Sequence, residues 1–130
     1  MGGDAMIVAG FGMNGRATDA SLRAALEAAL AGGPPPDALA ALGDHAPRLA
    51  PLAAALALPL IRVPCVAGIA TPTQSPRSLA AHGAGSVAEA VALAAAGPGA
   101  ALTGHRAAAR DGTATCAIAR GPGDTERNPA

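Results

Sequence analysis

A glycine-rich turn near the start of the chain carries residue types that could bind a nucleotide. Residues 10–15 read Gly-Phe-Gly-Met-Asn-Gly, which fits the G-x-G-x-x-G pattern of dinucleotide-binding proteins. That pattern needs a helix directly after the glycines and an acidic residue at the end of a second strand. Here the candidate helix caps come well after Gly15, and Asp37 and Asp44 only flank the candidate strand. We therefore keep a nucleotide-binding module as the weakest of three functional hypotheses.

Two arginines and one predicted helix start are candidates for binding anions. Arg16 follows the glycine-rich turn, and Arg106 follows the fourth predicted strand. A guanidinium group suits a carboxylate because its planar fork donates two parallel hydrogen bonds. Ser86 and Glu89 form a capping box, in which the serine accepts from the third amide and the glutamate reaches back to the serine amide. The competing interpretations are that the arginines are exposed surface residues and that the capping box only starts its helix.

The histidines and cysteines give weaker signals. His82 and His105 are the candidate general bases for hydrolysis, whereas His45 falls in the first turn of a predicted helix. The competing interpretation for both candidates is an exposed loop histidine without a function. Cys65 and Cys116 are far apart and form no C-x-x-C motif, so we predict two small core residues. No metal-ligand spacing is visible, and we expect neither a metal nor a cofactor.

Alternating apolar runs, caps and breakers predict the elements that position these residues. The predicted strands cover 5–11, 38–42, 58–63, 100–103 and 113–119, the last with Cys116 and Ile118 on one face and Thr115, Ala117 and Ala119 on the other. The predicted helices begin at Thr18 or Asp19, at Asp44, at Ser75-Pro76 and at Ser86, and the second presents Leu49, Leu52 and Leu56 on one face. We predict a single α/β domain over residues 1–120, in which helices cover a mixed, mostly parallel sheet of about five strands. A polar tail over residues 121–130 follows.

The composition excludes several classes of function. The chain has 130 residues, a formal net charge of zero and nine basic residues, all of them arginine. Aromatic residues make up 1% of the chain, a single Phe, so there is no set of rings on which successive nucleic-acid bases could stack. Pro and Gly interrupt every apolar run before it reaches the length of a membrane span, and the N-terminus lacks the basic start of a signal peptide. We expect a cytoplasmic protein that binds neither nucleic acid nor membranes.

Several segments in a fixed order resemble one protein family. The early strand with Gly-Phe-Gly is followed by Leu-Ala-Leu-Pro-Leu at 56–60 and Thr-Pro-Thr-x-Ser-Pro at 71–76. Gly-Ser-Val-Ala-Glu-Ala-Val-Ala-Leu follows at 85–93, and Ala-Thr-Cys-Ala-Ile-Ala-Arg at 114–120 ends the pattern. From about residue 6 to 120 the chain resembles the CobE family of cobalamin biosynthesis, which is also the C-terminal domain of CbiG.

The resemblance implies a role in making cobalamin (vitamin B12). A chain of this length resembles the CobE of the aerobic pathway, which implies binding or carrying a precorrin or hydrogenobyrinate-type corrinoid and contact with other enzymes of that pathway. The alternative is a hydrolase that opens a corrin-ring lactone, as the cobalt-precorrin-5A hydrolase CbiG does. An open cleft at the end of the first strand suits a large acidic macrocycle. The predicted ligand-binding residues are Gly10, Phe11, Gly12, Met13, Asn14, Gly15, Arg16, Ser86, Glu89 and Arg106.

Overall fold

Strands and helices alternate along the chain as the apolar pattern predicts. The computed structural model describes residues 6–104 and 106–122, with the side chain of His82 also left out. The elements are β1 (Met6–Met13), α1 (Asp19–Leu30), β2 (Ala38–Leu42), α2 (Ala46–Leu56), β3 (Leu60–Val63), α3 (Pro76–His82), α4 (Val87–Ala96), β4 (Ala101–Leu102), β5 (Ala107–Ala108) and β6 (Ala114–Gly121). Because β6 continues to Gly121, the sheet extends one residue past the predicted boundary, and residues 123–130 lie outside the described part.

The sheet is mixed, with six strands in the order β3-β2-β1-β6-β4, and β5 also pairs with β6. β1 pairs in parallel with β2, and β2 with β3. β6 is antiparallel to β1, β4 and β5, so within the described chain it alone opposes the direction of the other strands. The predicted α/β class with a mixed, mostly parallel sheet is confirmed. The added strand is β5, which at two residues is too short to give a periodic signal.

Helices cover both faces of the sheet and create two apolar cores. α1 and α2 cover one face, where Ala9 and Phe11 of β1 pack with Leu22 and Leu49. α4 covers the other face, where Val8 of β1 belongs to the second core. Cys116 and Ile118 face the first core and Ala117 and Ala119 the second, as the alternation of the last strand predicts.

Side-chain caps begin three of the helices where the sequence places them. Thr18 Oγ1 accepts from Ser21 N, and Ser75 Oγ accepts from Ser78 N. Ser86 Oγ accepts from the third amide of its helix, as the capping box predicts. The predicted cap at Asp44 is wrong, because the cap residue of α2 is His45 and its side chain makes no capping bond.

Gly10 marks the closest approach between the sheet and a helix. A Cβ atom at this position would lie 2.5 Å from Ala88 O and 2.5 Å from Ala92 N, both in the backbone of α4. Only glycine leaves room for that contact. Gly10, the first glycine of the G-x-G-x-x-G sequence, is therefore needed for the packing of α4 on β1.

The two cysteines have different environments. Cys116 is buried in the core beneath α1 and α2, and burial raises the pKa of its thiol because the charged form loses its hydration. Cys65 is exposed, so the prediction of a core residue is wrong for this position. Cys65 follows the end of β3 at Val63 and so lies outside the sheet.

The helices of the described part are all too short or too polar to cross a lipid bilayer.

Candidate functional site

An open cleft lies where β1 ends and β6 begins. Its volume is about 350 Å³, near the lower end for small-molecule pockets. We call it the strand-end cleft, and its lining consists of Gly12, Met13, Asn14, Ser75, Arg77, Ser78, Ala81, Val87, Arg106, Gly112, Thr113, Ala114 and Thr115. The charged groups of this lining are two arginines, and among the described residues no Asp or Glu joins them. The cleft therefore favours anions.

Hydrogen bonds between two turns form one wall of the cleft. Asn14 N donates to Thr113 O at 3.0 Å, which joins the end of β1 to the start of β6. Asp111 fixes the same turn, because its carboxylate accepts from Ser21 Oγ at 2.6 Å and from Thr113 Oγ1 at 2.7 Å. These hydrogen bonds lower the pKa of Asp111 because they favour its ionised form, and the bond from the Ser21 hydroxyl has the largest effect.

The lowered pKa of Asp111 predicts a pH-dependent contribution to stability. A carboxyl group whose pKa falls on folding stabilises the folded state above its unfolded pKa, and the contribution is lost as pH falls through the folded value. We expect Asp111→Asn to be less stable than the parent at pH 7, and the difference to shrink below about pH 4. Urea unfolding at both pH values measures this. Asp44→Asn, at an exposed carboxylate, is the control, and a difference that does not shrink as pH falls would contradict the expectation.

Arg48 of α2 holds the loop that follows β1. Its Nη1 donates to Asn14 O at 2.7 Å, and its Nη2 donates to Ala17 O. Asn14 Oδ1 in turn accepts from Arg16 N at 2.8 Å, which closes a local turn. The loop is therefore held by α2, and Asn14 remains exposed at the cleft.

Arg106 lies between the strand-end cleft and a second cavity. The residue is half-buried, and its Nη1 donates to Ser86 Oγ at 3.5 Å. The second cavity, which we call the side cavity, has a volume of about 700 Å³ and is lined by Pro72, Thr73, Glu89, Leu102, Gly104 and Arg106. A ligand larger than the strand-end cleft could thus contact Arg106 from both sides.

Glu89 departs from the predicted capping box. Its side chain is 2% exposed and points to the loop before α3, where Oε1 accepts from Thr73 N at 3.0 Å and Oε2 from Thr73 Oγ1 at 3.1 Å. The prediction that Glu89 caps the Ser86 amide is therefore wrong. A loop brought close by tertiary folding supplies the donors instead.

The structure separates the predicted ligand-binding residues into groups. The cleft lining includes Gly12, Met13, Asn14 and Arg106, and the side cavity adds Glu89 and shares Arg106. Gly10 and Phe11 are buried, and Ser86 lies beneath Arg106 with no exposed surface. Gly15 and Arg16 are exposed in the following loop, outside the cleft lining. The predicted set is thus partly brought together.

Sequence reasoning missed the polar residues that complete the cleft. Arg77 lies in the first turn of α3, directly after Ser75-Pro76. A basic residue in a predicted first turn was the sequence signal that could have identified it. Thr113 directly precedes β6 and Thr115 lies in it, and β6 reaches the end of β1 because the two strands are antiparallel. No local pattern shows that pairing.

The candidate general bases remain predictions. His82 is the last residue of α3, its side chain is not described, and His105 lies outside the described residues. Within residues 6–104 and 106–122, no group of three or more His, Cys, Asp or Glu side chains is arranged to hold a metal ion.

The glycine-rich turn does not have the geometry of a phosphate-binding loop. Gly10 and Gly12 both lie inside β1, whereas a dinucleotide fingerprint places its glycines in the loop between strand and helix. α1 begins only at Asp19, beyond the exposed loop at 14–16. These glycines therefore give no support to nucleotide binding.

Comparison with known proteins decides the family. A family model described as the cobalamin synthesis G C-terminus matches residues 7–119. The chain belongs to this family. This membership confirms the predicted resemblance. With the two solved structures described next, it identifies the chain as a protein of cobalamin biosynthesis.

Two solved structures show the same fold. The crystal structure of CobE, a protein from the cobalamin (vitamin B12) biosynthetic pathway, is 31% identical, with a TM-score of 0.73 over 89% of this chain and 90% of that one. Cobalamin biosynthesis protein chiG from Agrobacterium tumefaciens strain C58 is 35% identical, with a TM-score of 0.64 over 87% of this chain and 96% of that one. A search of curated proteins found no match.

Proposed function

We propose that this protein binds a corrinoid intermediate of cobalamin biosynthesis in the strand-end cleft. The observation that carries the proposal is the pair Arg77 and Arg106 in a cleft whose described lining holds no acidic side chain. Precorrin and hydrogenobyrinate-type corrinoids carry several carboxylate arms around one macrocycle. Two guanidinium groups on separate elements suit such arms, because each forms charge-assisted hydrogen bonds with a carboxylate.

Neutral donors in the cleft complement the two arginines. Asn14, Ser75, Ser78, Thr113 and Thr115 line the opening. The hydroxyl hydrogens of Ser78 and Thr113 are already donated, to Ala84 O and to the Asp111 carboxylate. The exposed amide group of Asn14 and the hydroxyl of Ser75, which accepts from Ser78 N, still have hydrogens to donate to the oxygen atoms of the arms.

The size of the cleft limits how a macrocycle could sit in it. The strand-end cleft of about 350 Å³ suits one edge of the ring with its arms. The side cavity of about 700 Å³ adjoins it at Arg106 and offers room for a neighbouring arm. An open site of this form suits a protein that holds an intermediate of the aerobic pathway and passes it to the next enzyme.

Replacing either cleft arginine is expected to weaken corrinoid binding. Arg106→Ala and Arg77→Ala should each raise Kd about tenfold or more, because a hydrogen bond to a charged group contributes about 1.5–3 kcal/mol. Corrinoids absorb visible light and the chain has no Trp or Tyr, so coloured ligand that co-elutes with the protein is easily measured. Arg23→Ala, at an exposed arginine of α1 away from the cleft, is the matched control.

Other outcomes of the same experiment would decide between the functions. If no colour co-elutes with the parent protein while NADH binds, the corrinoid proposal fails in favour of nucleotide binding. If the lactone of the added intermediate is lost and acetaldehyde appears, with a dependence on His82 or His105, the protein is a hydrolase rather than a carrier. Retained colour with intact ligand supports binding alone.

A further inference from the structure

The α3 helix, which carries Arg77, has no core of its own. None of its described side chains is buried, and Leu79 is 43% exposed. It makes no extensive contact with any other helix or strand of the described part. A helix of seven residues is also too short to be stable alone. The position of Arg77 must therefore depend on the hydrogen bonds that hold α3 to neighbouring segments.

The first turn of α3 is held by the segment that leads into α4. Ser78 Oγ donates to Ala84 O at 2.6 Å, and Ser75 N donates to Gly85 O at 2.9 Å. Gly83 ends the helix in the left-handed region, with φ of 75°. These bonds fix α3 to its own following turn, which itself begins α4.

The N-terminal side of α3 is held by Glu89 of α4. Both carboxyl oxygens accept from Thr73, one from its N at 3.0 Å and the other from its Oγ1 at 3.1 Å. Two further bonds brace the loop, from Thr71 Oγ1 to Thr73 O and from Gln74 Nε2 to Thr71 O, both at 2.7 Å. The loop also packs tightly against the segment before α4, since a Cβ atom on Gly85 would lie 2.2 Å from Thr73 O.

We propose that Glu89 is a positioning residue that holds the Thr73 loop, and through it α3 and Arg77, against the strand-end cleft. Its role in ligand recognition rests on the proposed function, whereas its effect on α3 does not. Glu89 is 2% exposed and absent from the lining of the strand-end cleft, so it acts there through Thr73. The Glu89 carboxyl group is buried, and without its bonds to Thr73 it would be a buried polar group left unsatisfied, so these bonds give the loop one defined position.

The first experiment needs no ligand. Amide hydrogen exchange in Glu89→Gln and Thr73→Val should rise about tenfold for the α3 amides of Leu79 and Gly83, as expected for a locally less stable unit. The amide of Ala90 in α4 should keep the exchange rate of the parent. Thr73→Ser, which restores the hydroxyl, should restore α3 protection, and Glu27→Gln at an exposed site of α1 is the control. Unchanged α3 exchange in both variants overturns the proposal whether or not a corrinoid binds.

The second experiment uses double-mutant cycles for corrinoid binding. Thr73→Val should weaken binding about tenfold in the parent but much less in an Arg77→Ala background, because both changes remove the same contact. In an Arg106→Ala background, Thr73→Val should still raise the Kd for the corrinoid about tenfold. Coupling to Arg106 alone would overturn the assigned path, since Glu89 and Arg106 line the same side cavity. If Arg77→Ala weakens binding and Thr73→Val does not, the proposed function stands and the positioning role fails.

Discussion

Replacing Phe11 by alanine is expected to lower the free energy of unfolding by about 3–5 kcal/mol, the usual cost of removing a buried aromatic side chain. Phe11 is the one aromatic residue of the chain and has no exposed surface. It packs with Leu22 of α1 and Leu49 of α2 in a core that is otherwise built from small and aliphatic residues. Such neighbours cannot refill the space that the ring leaves. Thermal and urea unfolding measure the loss.

A conservative variant separates packing from ligand contact at Phe11. Phe11→Leu keeps much of the volume and should cost less than about 1.5 kcal/mol. Because the side chain is buried beneath α1 and α2, corrinoid affinity of the folded Phe11→Leu protein should equal that of the parent. A variant of parental stability with lost affinity would instead support the sequence prediction that Phe11 binds the ligand.

Gly10→Ala is expected to destabilise the protein by about 1–3 kcal/mol, the range for overpacking a tight contact. The added methyl group would lie 2.5 Å from backbone atoms of Ala88 and Ala92, which α4 cannot move without shifting as a whole. Because Val87, the first residue of α4, lines the strand-end cleft, a shift of the helix should also change the shape of the cleft. Urea unfolding gives the change in stability.

Gly15→Ala is the matched control within the same motif. A Cβ atom at Gly15 has no neighbour within 4 Å, and its backbone is outside the left-handed region. Alanine there should be neutral or stabilise by about 0.4–1 kcal/mol, since it reduces the freedom of the unfolded chain. Equal losses at Gly10 and Gly15 would contradict the assignment of Gly10 to helix packing.

Local signals were sufficient for most of the elements. The caps at Thr18, Ser75 and Ser86 place three helix starts correctly, because a cap involves atoms only three residues apart. The alternation around Cys116 predicts correctly that Cys116 and Ile118 share one face of the last strand and Ala117 and Ala119 the other, since strand faces have a period of two. The motifs from residue 6 to 120 also indicate the family, which the matching family model confirms.

The composition of the site depended on contacts that no local pattern encodes. The antiparallel pairing of β6 with β1 brings Thr113 and Thr115 to the end of the first strand, although about a hundred residues separate them in sequence. Glu89 bonds to Thr73 rather than to its own helix start because folding brings the loop within reach. Gly10 belongs to helix packing for the same reason. Residue types and spacing therefore indicate the family and motivate the proposed class of ligand, while long-range packing determines which groups line the cleft.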